Sequence, residues 1–408
     1  MSGQENGGEE HWREAVDLLC RWESGRAHLD ELLEHAELDR LRWLVMESFR
    51  QWLVIERILS PHVRRTPRPQ LRQLLRLALG ECLQREASTH PRVVHHAVGV
   101  SRRLGLSPAE AGFLNAVLRN ILRDWEKWKD PPLEWSHPGW LVRRWEKQFG
   151  REATRQLLRW NQDVPHLTVQ GTDCPAYAEP TAWPGFYRLR KGRFPEALAD
   201  LRKGTTYVQD PFTRIPVELL DPRPGETILD LCAAPGGKTR LIAGRMRSRG
   251  RLLAVDLEGK RLERLRENAS RIPGIPVEVI GASVENLPGN PGDPGESAVD
   301  GVLIDVPCSN TGVIQKRPDV KLRLRECEIR TLADRQSRLL ELASAWVRPG
   351  GRLVYSTCSI EEEENRAVVE AFCSEHPDWG LARGVMSRPW ECGHDGGGAF
   401  LLTRNPPH

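Results

Sequence analysis

The sequence has no apolar run approaching the roughly 20 residues that a membrane-crossing helix needs, which excludes a helical integral membrane protein. It also lacks a charge imbalance. Against 59 Lys and Arg stand 56 Asp and Glu, a net charge of +3, so any nucleic-acid contact has to be a local patch rather than a global field. The nine cysteines include no Cys-x-x-Cys pair and no Cys/His spacing of a zinc site, so no metal is expected. Met1 to Glu10 is polar and Gly-rich, without the apolar stretch of a secretory leader, and reads as a frayed tail. The thiols are therefore expected reduced, in a cytoplasmic protein. No repeat of fixed period is visible. Tyrosine is scarce, at four, whereas tryptophan reaches 14, most of it before residue 190 at helical positions, where it is expected as core.

A length of 408 residues gives a prior of two or three domains. From His11 to about Trp128 the apolar pattern is helical. Leu71, Leu74, Leu75, Ala78, Leu79 and Cys82 form one stripe, and Phe113, Leu114, Val117, Leu118, Ile121 and Leu122 another. Pro91 and Pro108 sit where helices begin, the latter after Ser107 as N-cap. This predicts an all-α domain over 1–130. Arg64, Arg65, Arg68, Arg72 and Arg76 run through it with no acid among them, and Arg102, Arg103, Arg119 and Arg123 add positive charge. That stretch is either an RNA-backbone contact or a solvated helix face.

Asp130-Pro131-Pro132 breaks the pattern, Trp140 to Trp160 returns to helix, and Val164 to Gly204 reads as a small α+β insert, giving a connecting region over 131–210. Over 211–408 strand and helix alternate. Strands are expected at Thr227–Leu231, Leu252–Asp256, Val277–Ile280, Val299–Asp305 and Arg352–Ser356, with an added one at Phe400–Thr403. Helices are expected at Lys238–Arg249, Gly259–Arg271, Thr331–Val347 and Glu361–Phe372, and Asn286 to Ser297 reads as a loop. Such alternation predicts a mostly parallel sheet covered on both faces.

The organising stretch is Thr227 to Thr239. An apolar strand runs into Cys232, Ala233, Ala234, Pro235, Gly236 and Gly237, and a helical pattern follows Lys238. Strand, glycine turn and helix build a cofactor site at the carboxyl edge of a doubly wound sheet; the plain alternative is a tight turn between buried elements. A P-loop would need a glycine at position 232, which is Cys. Asp256 ends the second strand about 20 residues on, where an acid suits the ribose hydroxyls of an adenosine cofactor or caps the next helix. Two more strands end in Asp305-Val306-Pro307-Cys308 and in Ser356-Thr357-Cys358-Ser359. A lone strand-end cysteine is usually a small buried hydrophobe. Two on one sheet edge, with an Asp beside them, point to chemistry.

These segments, with Arg317-Pro318-Asp319, Glu363-Glu364-Asn365, Asn115-Ala-Val-Leu-Arg119, Pro138-Gly-Trp-Leu141, Asn161 and Val208-Gln-Asp210, resemble the two-cysteine RNA cytosine-5 methyltransferases of the RsmB/Sun/Fmu family over nearly the whole chain. The resemblance implies a NusB-like all-α RNA-binding domain, a small α+β connecting region, and a Rossmann-like α/β domain with a mostly parallel seven-stranded sheet. It implies S-adenosyl-L-methionine as cofactor, bound by residues 232–238, Asp256 and Asp305, and a monomer acting on a single-stranded or loop segment of small-subunit (16S) ribosomal RNA. The same chemistry on transfer RNA is the nearest variant, and an RNA-binding assembly factor with a vestigial catalytic domain a different class.

By the same resemblance, Cys358 is the nucleophile, Asp305 steadies the base, Cys308 assists breakdown of the covalent adduct, and Lys238 favours the thiolate or orients the base. The sequence departs from the family in three places. Ala282-Ser283 replaces a cofactor-facing acid after Gly281. Pro211-Phe212 replaces small hydroxyl residues after Gln209-Asp210. The C-terminal Asp-Gly-Phe-Phe signature is spread into Asp395-Gly-Gly-Gly-Ala-Phe400.

Overall fold

The run Thr227–Leu231 is buried from Ile228 onward and forms an inner strand of a seven-stranded sheet. The computed structural model describes residues 2–25, 29–33, 39–287 and 298–406. They form two units: one comprises residues up to Asp163 together with Ile314–Arg323, the other Val164–Val313 and Leu324 onward.

The first unit is helical: α1 (Ser2–Glu23), α2 (Leu29–Leu33), α3 (Asp39–Leu59), α4 (Pro69–Leu83), α5 (His90–Arg103), α6 (Pro108–Arg123), α7 (Gly139–Phe149) and α8 (Arg151–Gln162). Helix α1 starts at Ser2, where a frayed tail was expected. Tertiary docking overrides its weak propensity: Trp12 is buried and Glu9 pairs with Arg103 at 2.5 Å. Ser107 and Glu110 cap α6 reciprocally, the Glu110 amide donating to Ser107 Oγ at 3.3 Å and the Ser107 amide to Glu110 Oε2 at 2.8 Å. The predicted helix Trp140–Trp160 is two helices, broken at Gly150, whose φ of +82° a side-chain-bearing residue rarely adopts. The segment Ile314–Arg323 completes this unit. Lys321, fully buried, donates to Arg50 O at 2.8 Å, Arg50 Nη2 donates to Gln315 O at 3.3 Å, and Arg50 also pairs with buried Glu47. Burial and the Arg50 charge, opposed by Glu47, push Lys321 down to about 7.

The second unit opens with strands β1 (Thr168–Gln170), β2 (Ala178–Pro180), β3 (Phe186–Leu189) and β4 (Tyr207–Val208) in an antiparallel sheet of order β2-β3-β1-β4, with α9 (Phe194–Lys203) between the last two. Then follow α10 (Arg214–Leu220), β5 (Thr227–Leu231), α11 (Gly237–Met246), β6 (Arg251–Asp256), α12 (Lys260–Ser270), β7 (Val277–Gly281), β8 (Val299–Asp305), α13 (Val320–Arg323, in the helical unit), α14 (Glu326–Ser344), β9 (Val347–Thr357), α15 (Arg366–Glu375), β10 (Trp379–Ser387), α16 (Pro389–Cys392) and β11 (Gly397–Arg404). The sheet order is β10-β11-β9-β8-β5-β6-β7. The four ladders joining β9, β8, β5, β6 and β7 are parallel, and β10 and β11 are antiparallel. Of the expected loop Asn286–Ser297, residues 288–297 lie outside the described residues; Asn286 ends a single helical turn.

In register, Leu231 lies beside Ile304, and Asp305 beside Ser356. The carboxyl ends of β5, β8 and β9 therefore share one edge. The connections leave β5 for β6 on one side, and β8 lies on the other, a topological switch that opens a crevice at that edge.

Candidate active site

The turn after β5 is fixed by its neighbours. Cys232 sits at φ +58° and Gly236 at +103°, and the Gly236 amide closes the turn on Ala233 O at 2.8 Å. Asp256 accepts from the Ala234 amide at 2.8 Å, Arg261 donates to Ala234 O at 2.9 Å, and Asn268 to Pro235 O at 2.8 Å. A Cβ on Gly237 would stand 2.9 Å from Gln209 Nε2, so the bare backbone keeps the crevice open. What remains is a cavity of about 210 Å³ lined by Tyr207, Gln209, Asp230, Cys232, Lys238 and Asp305, among others.

Both amide atoms of buried Gln209, and Oδ1 of Asp230, have no hydrogen-bond partner among the described residues. Unpaired buried polar atoms are costly, and here they line a crevice bounded by a glycine turn. The donor and acceptor set suits a polar, nucleoside-bearing ligand such as S-adenosylmethionine. Burial pushes Asp230 up to about 7, although Thr239 Oγ1 donates to its Oδ2 at 2.6 Å and Lys238 is near.

Beside this cavity stand the two thiols. Cys308 Sγ lies 3.0 Å from Cys358 Sγ, and Cys358 Sγ donates to Asn310 Oδ1 at 3.0 Å. Lys238 Nζ donates to Asp305 Oδ2 at 2.6 Å, and Ser356 Oγ to Asp305 Oδ1 at 3.0 Å. Burial is the largest influence on Lys238 and disfavours its charge, but the Asp305 carboxylate outweighs it, so the ammonium is held above its ordinary range. The hydrogen bond with Cys358, then burial and the charges of Cys358 and Glu364, raise the Cys308 thiol well above the ordinary cysteine value.

Glu364 ties the two cysteine loops together. Fully buried, it accepts from the Ser309 amide at 2.8 Å, from Gln336 Nε2 at 2.9 Å, from Ser359 Oγ at 2.5 Å and from Ser309 Oγ. The three glycines of the stretched C-terminal signature have a steric cause. Strand β11 pairs with β9 so that Gly398 faces Thr357. A Cβ on Gly397 would fall 2.3 Å from Thr357 O, one on Gly398 2.0 Å from Asn365 Oδ1, and one on Gly396 2.7 Å from Ile360.

Lys238 thus pairs with Asp305 and Cys308 with Cys358, with Cys358 also acting on the Lys238 charge; Cys232, Ala233, Ala234, Pro235 and Gly237 line the adjoining cavity, and Asp256 holds their turn. Asp256 does not cap α12, whose N-cap is Gly259; its carboxylate accepts instead from the amides of Ala234 and Leu257, each at 2.8 Å. Ala282 follows β7 directly, its amide bonded to Asp256 O at 3.0 Å, so the replaced acid position lies beside the strand end that carries Asp256. Sequence reasoning passed over Asn310, Ser356 and Gln209 as site residues. The one sequence signal of Glu364 is an acid in a motif placed right after a cysteine loop.

The basic patch is different from its sequence appearance. Arg76 is buried and pairs with Glu56 at 2.7 Å and Glu23 at 3.1 Å, Arg72 pairs with Glu23, and Arg68 pairs with Glu110 at 3.0 Å. Arg64 and Arg65 are exposed with no ion pair among the described residues, and Arg102 and Arg119 line a groove of about 970 Å³ with α5 and α6 residues. Among the described residues no cluster of three His, Cys, Asp or Glu could hold a metal, and no helix is long and apolar enough to cross a membrane.

Residues 217–396 match the family model described as 16S rRNA methyltransferase RsmB/F, and residues 11–123 that of the NusB family. The chain is 31% identical to the probable ribosomal RNA small subunit methyltransferase B of Bacillus subtilis (strain 168), over 90% of this chain and 88% of that one. It is 33% identical to the ribosomal RNA small subunit methyltransferase B of Salmonella typhi, over 74% and 73%. A crystal structure of PH0851 superposes with a TM-score of 0.80 at 25% identity, covering 97% of this chain and 98% of that one.

Proposed function

The chain belongs to the RsmB/F family of 16S rRNA methyltransferases, and on that premise we propose that it methylates carbon 5 of a cytosine in small-subunit ribosomal RNA, with Cys358 as covalent nucleophile. The observation that carries this reading is the pair of thiols 3.0 Å apart at the ends of adjacent strands, beside the Asp305–Lys238 pair and the glycine-turn cavity.

Carbon 5 of cytosine is a poor nucleophile. Addition of the Cys358 thiolate to carbon 6 converts carbon 5 into the nucleophilic end of an enamine. S-adenosylmethionine, when bound, supplies the electrophilic methyl group. The residues that would hold it are the 232–237 backbone, Gln209, Asp230, Asp256 and Asp305. Thiolate addition leaves negative charge on N3, which takes up a proton from solvent and donates it in a hydrogen bond to Asp305, whose carboxylate is aimed by Lys238. Cys308, held as a thiol, belongs to the release step. Loss of the carbon-5 proton to solvent expels the Cys358 thiolate, the proton taken up at N3 returns to solvent, and the aromatic ring is restored, so the base has exchanged one proton for one methyl. The target must be unstacked to reach the thiols, so a loop or single strand is the substrate.

The two cysteines should fail differently. Cys358→Ser should lose turnover and form no RNA adduct, because a serine hydroxyl is not appreciably ionised near neutral pH. Cys308→Ala should attack and transfer, then stall as an RNA–protein adduct that survives denaturing electrophoresis. Adduct with Cys358→Ser and none with Cys308→Ala would reverse the roles while leaving the reaction class intact.

A further inference from the structure

We propose that Asn310 is the positioning residue for Cys358: its carboxamide aims the sulfur and holds its proton until the Cys308 loop lets go. The inference rests on Cys358 being the nucleophile.

Asn310 spans from the backbone of Cys308 to the thiol of Cys358. Its backbone is at φ +60°, a left-handed conformation that Asn tolerates better than other side-chain-bearing residues. That turn brings the side chain back over its own loop, where Nδ2 donates to Cys308 O at 2.9 Å and Oδ1 accepts from the Cys358 thiol at 3.0 Å. One planar amide therefore bridges the backbone of one cysteine and the side chain of the other. An amide oxygen only accepts and an amide nitrogen only donates. In the arrangement seen, the oxygen stabilises the protonated sulfur, because a thiolate would face a lone pair instead of sharing a proton.

The same side chain can serve the thiolate after a half turn about its terminal bond, with Nδ2 donating to sulfur. That turn gives up the bond to Cys308 O. The proton of Cys358, passed to solvent buffer, and the freedom of the Cys308 carbonyl are thus linked through one residue. The other charged or titratable groups around the sulfur are Cys308 at 3.0 Å, the Lys238 ammonium with its Asp305 partner, and Glu364, which acts on the Cys308 side. None of them touches both cysteines as Asn310 does.

The test measures alkylation of Cys358 by iodoacetamide against pH, in a Cys308→Ala background, read by mass spectrometry of the Cys358 peptide. The thiolate displaces iodide, so the rate follows ionisation and needs neither RNA nor cofactor. Asn310→Asp keeps the shape but puts a carboxylate beside the sulfur. Its profile should move up by about one pH unit, a roughly tenfold slower reaction at pH 7.5. Asn310→Gly keeps the left-handed turn and removes the acceptor. Its profile should move down, while RNA adduct forms more slowly at every pH because the sulfur is no longer aimed. A filler role would leave the Gly midpoint unmoved, whatever the added charge of the Asp variant does. Superimposed profiles for Asn, Asp and Gly overturn the proposal, and an unmoved Gly profile does so even where the Asp variant fails to fold. Because alkylation is scored without substrate, absence of methyl transfer by the unmodified enzyme would sink the proposed function separately.

Discussion

Asp230→Asn isolates one buried charge. Asp230 is fully buried, shares one oxygen with Thr239, leaves the other unpartnered, and is pushed by burial to about 7 from an ordinary 3.8. Its folded value lies above its unfolded one. Between those values the folded state keeps a proton that the unfolded state has lost, so its contribution to stability falls as pH rises from about 4 to about 7 and is fully lost above that. At about 1.4 kcal/mol per pH unit, the span amounts to about 4 kcal/mol as an upper figure. The asparagine keeps an oxygen for the Thr239 hydroxyl and does not titrate. Its amide hydrogens find no partner where Oδ1 had none, a fixed cost of about 1–3 kcal/mol. Urea unfolding of both proteins from pH 5 to 8.5 should therefore show the variant weaker, or level, at pH 5 and gaining on the parent by a few kcal/mol towards pH 8. Two stability curves that stay parallel across this range would refute the reasoning, since the fixed cost cannot bend with pH.

Arg76→Ala should destabilise the helical unit by about 2 kcal/mol or more, because it strips a buried guanidinium from Glu23, Glu56 and the face of Trp52, 3.8 Å away; it should leave the salt dependence of RNA binding unchanged. Arg64→Ala with Arg65→Ala should do the reverse, flattening the salt slope of RNA affinity by about 0.7 per lost phosphate contact without altering thermal stability. Gly397→Ala should separate β11 from β9, since its Cβ has 2.3 Å to Thr357 O, and should lower the midpoint of thermal unfolding together with RNA adduct yield. Ala282→Asp should preserve or tighten S-adenosylmethionine binding in calorimetry, and a large loss in a folded variant would show that the surroundings of Asp256 are built differently.

The catalytic sheet was legible where strands are buried on both faces. Thr227–Leu231 and Val299–Asp305 are mostly apolar runs, each carrying an interior Asp, and both have the bounds expected. Strand β10 was missed because it carries Arg383 and a run of exposed or half-buried positions on a sheet edge, leaving no apolar signature. Arg68, Arg72 and Arg76 carry ion pairs that the stretch itself does not announce, because their acids come from outside it: Glu23 and Glu110 lie on other helices. The cysteine pair was legible as two strand ends. Asn310 was not, since its role needs a left-handed turn and a partner 48 residues away, neither of which leaves a pattern. Arg317-Pro318-Asp319 read as part of the catalytic stretch, yet its segment belongs to the helical unit. Adjacency in sequence concealed a long-range pairing with Arg50.

That segment sets a timetable for synthesis. The helical unit is translated first, but the place beside Arg50 is filled only when Lys321 emerges, about 160 residues after Asp163. At ribosomal speeds of 5–20 residues per second this is a wait of roughly 8 to 32 s. Throughout it, the buried Glu47–Arg50 pair has no Lys321 above it. A nascent chain arrested before residue 314 should present a helical unit more open to protease at α3 than the finished one, and release of the next ten residues should close it.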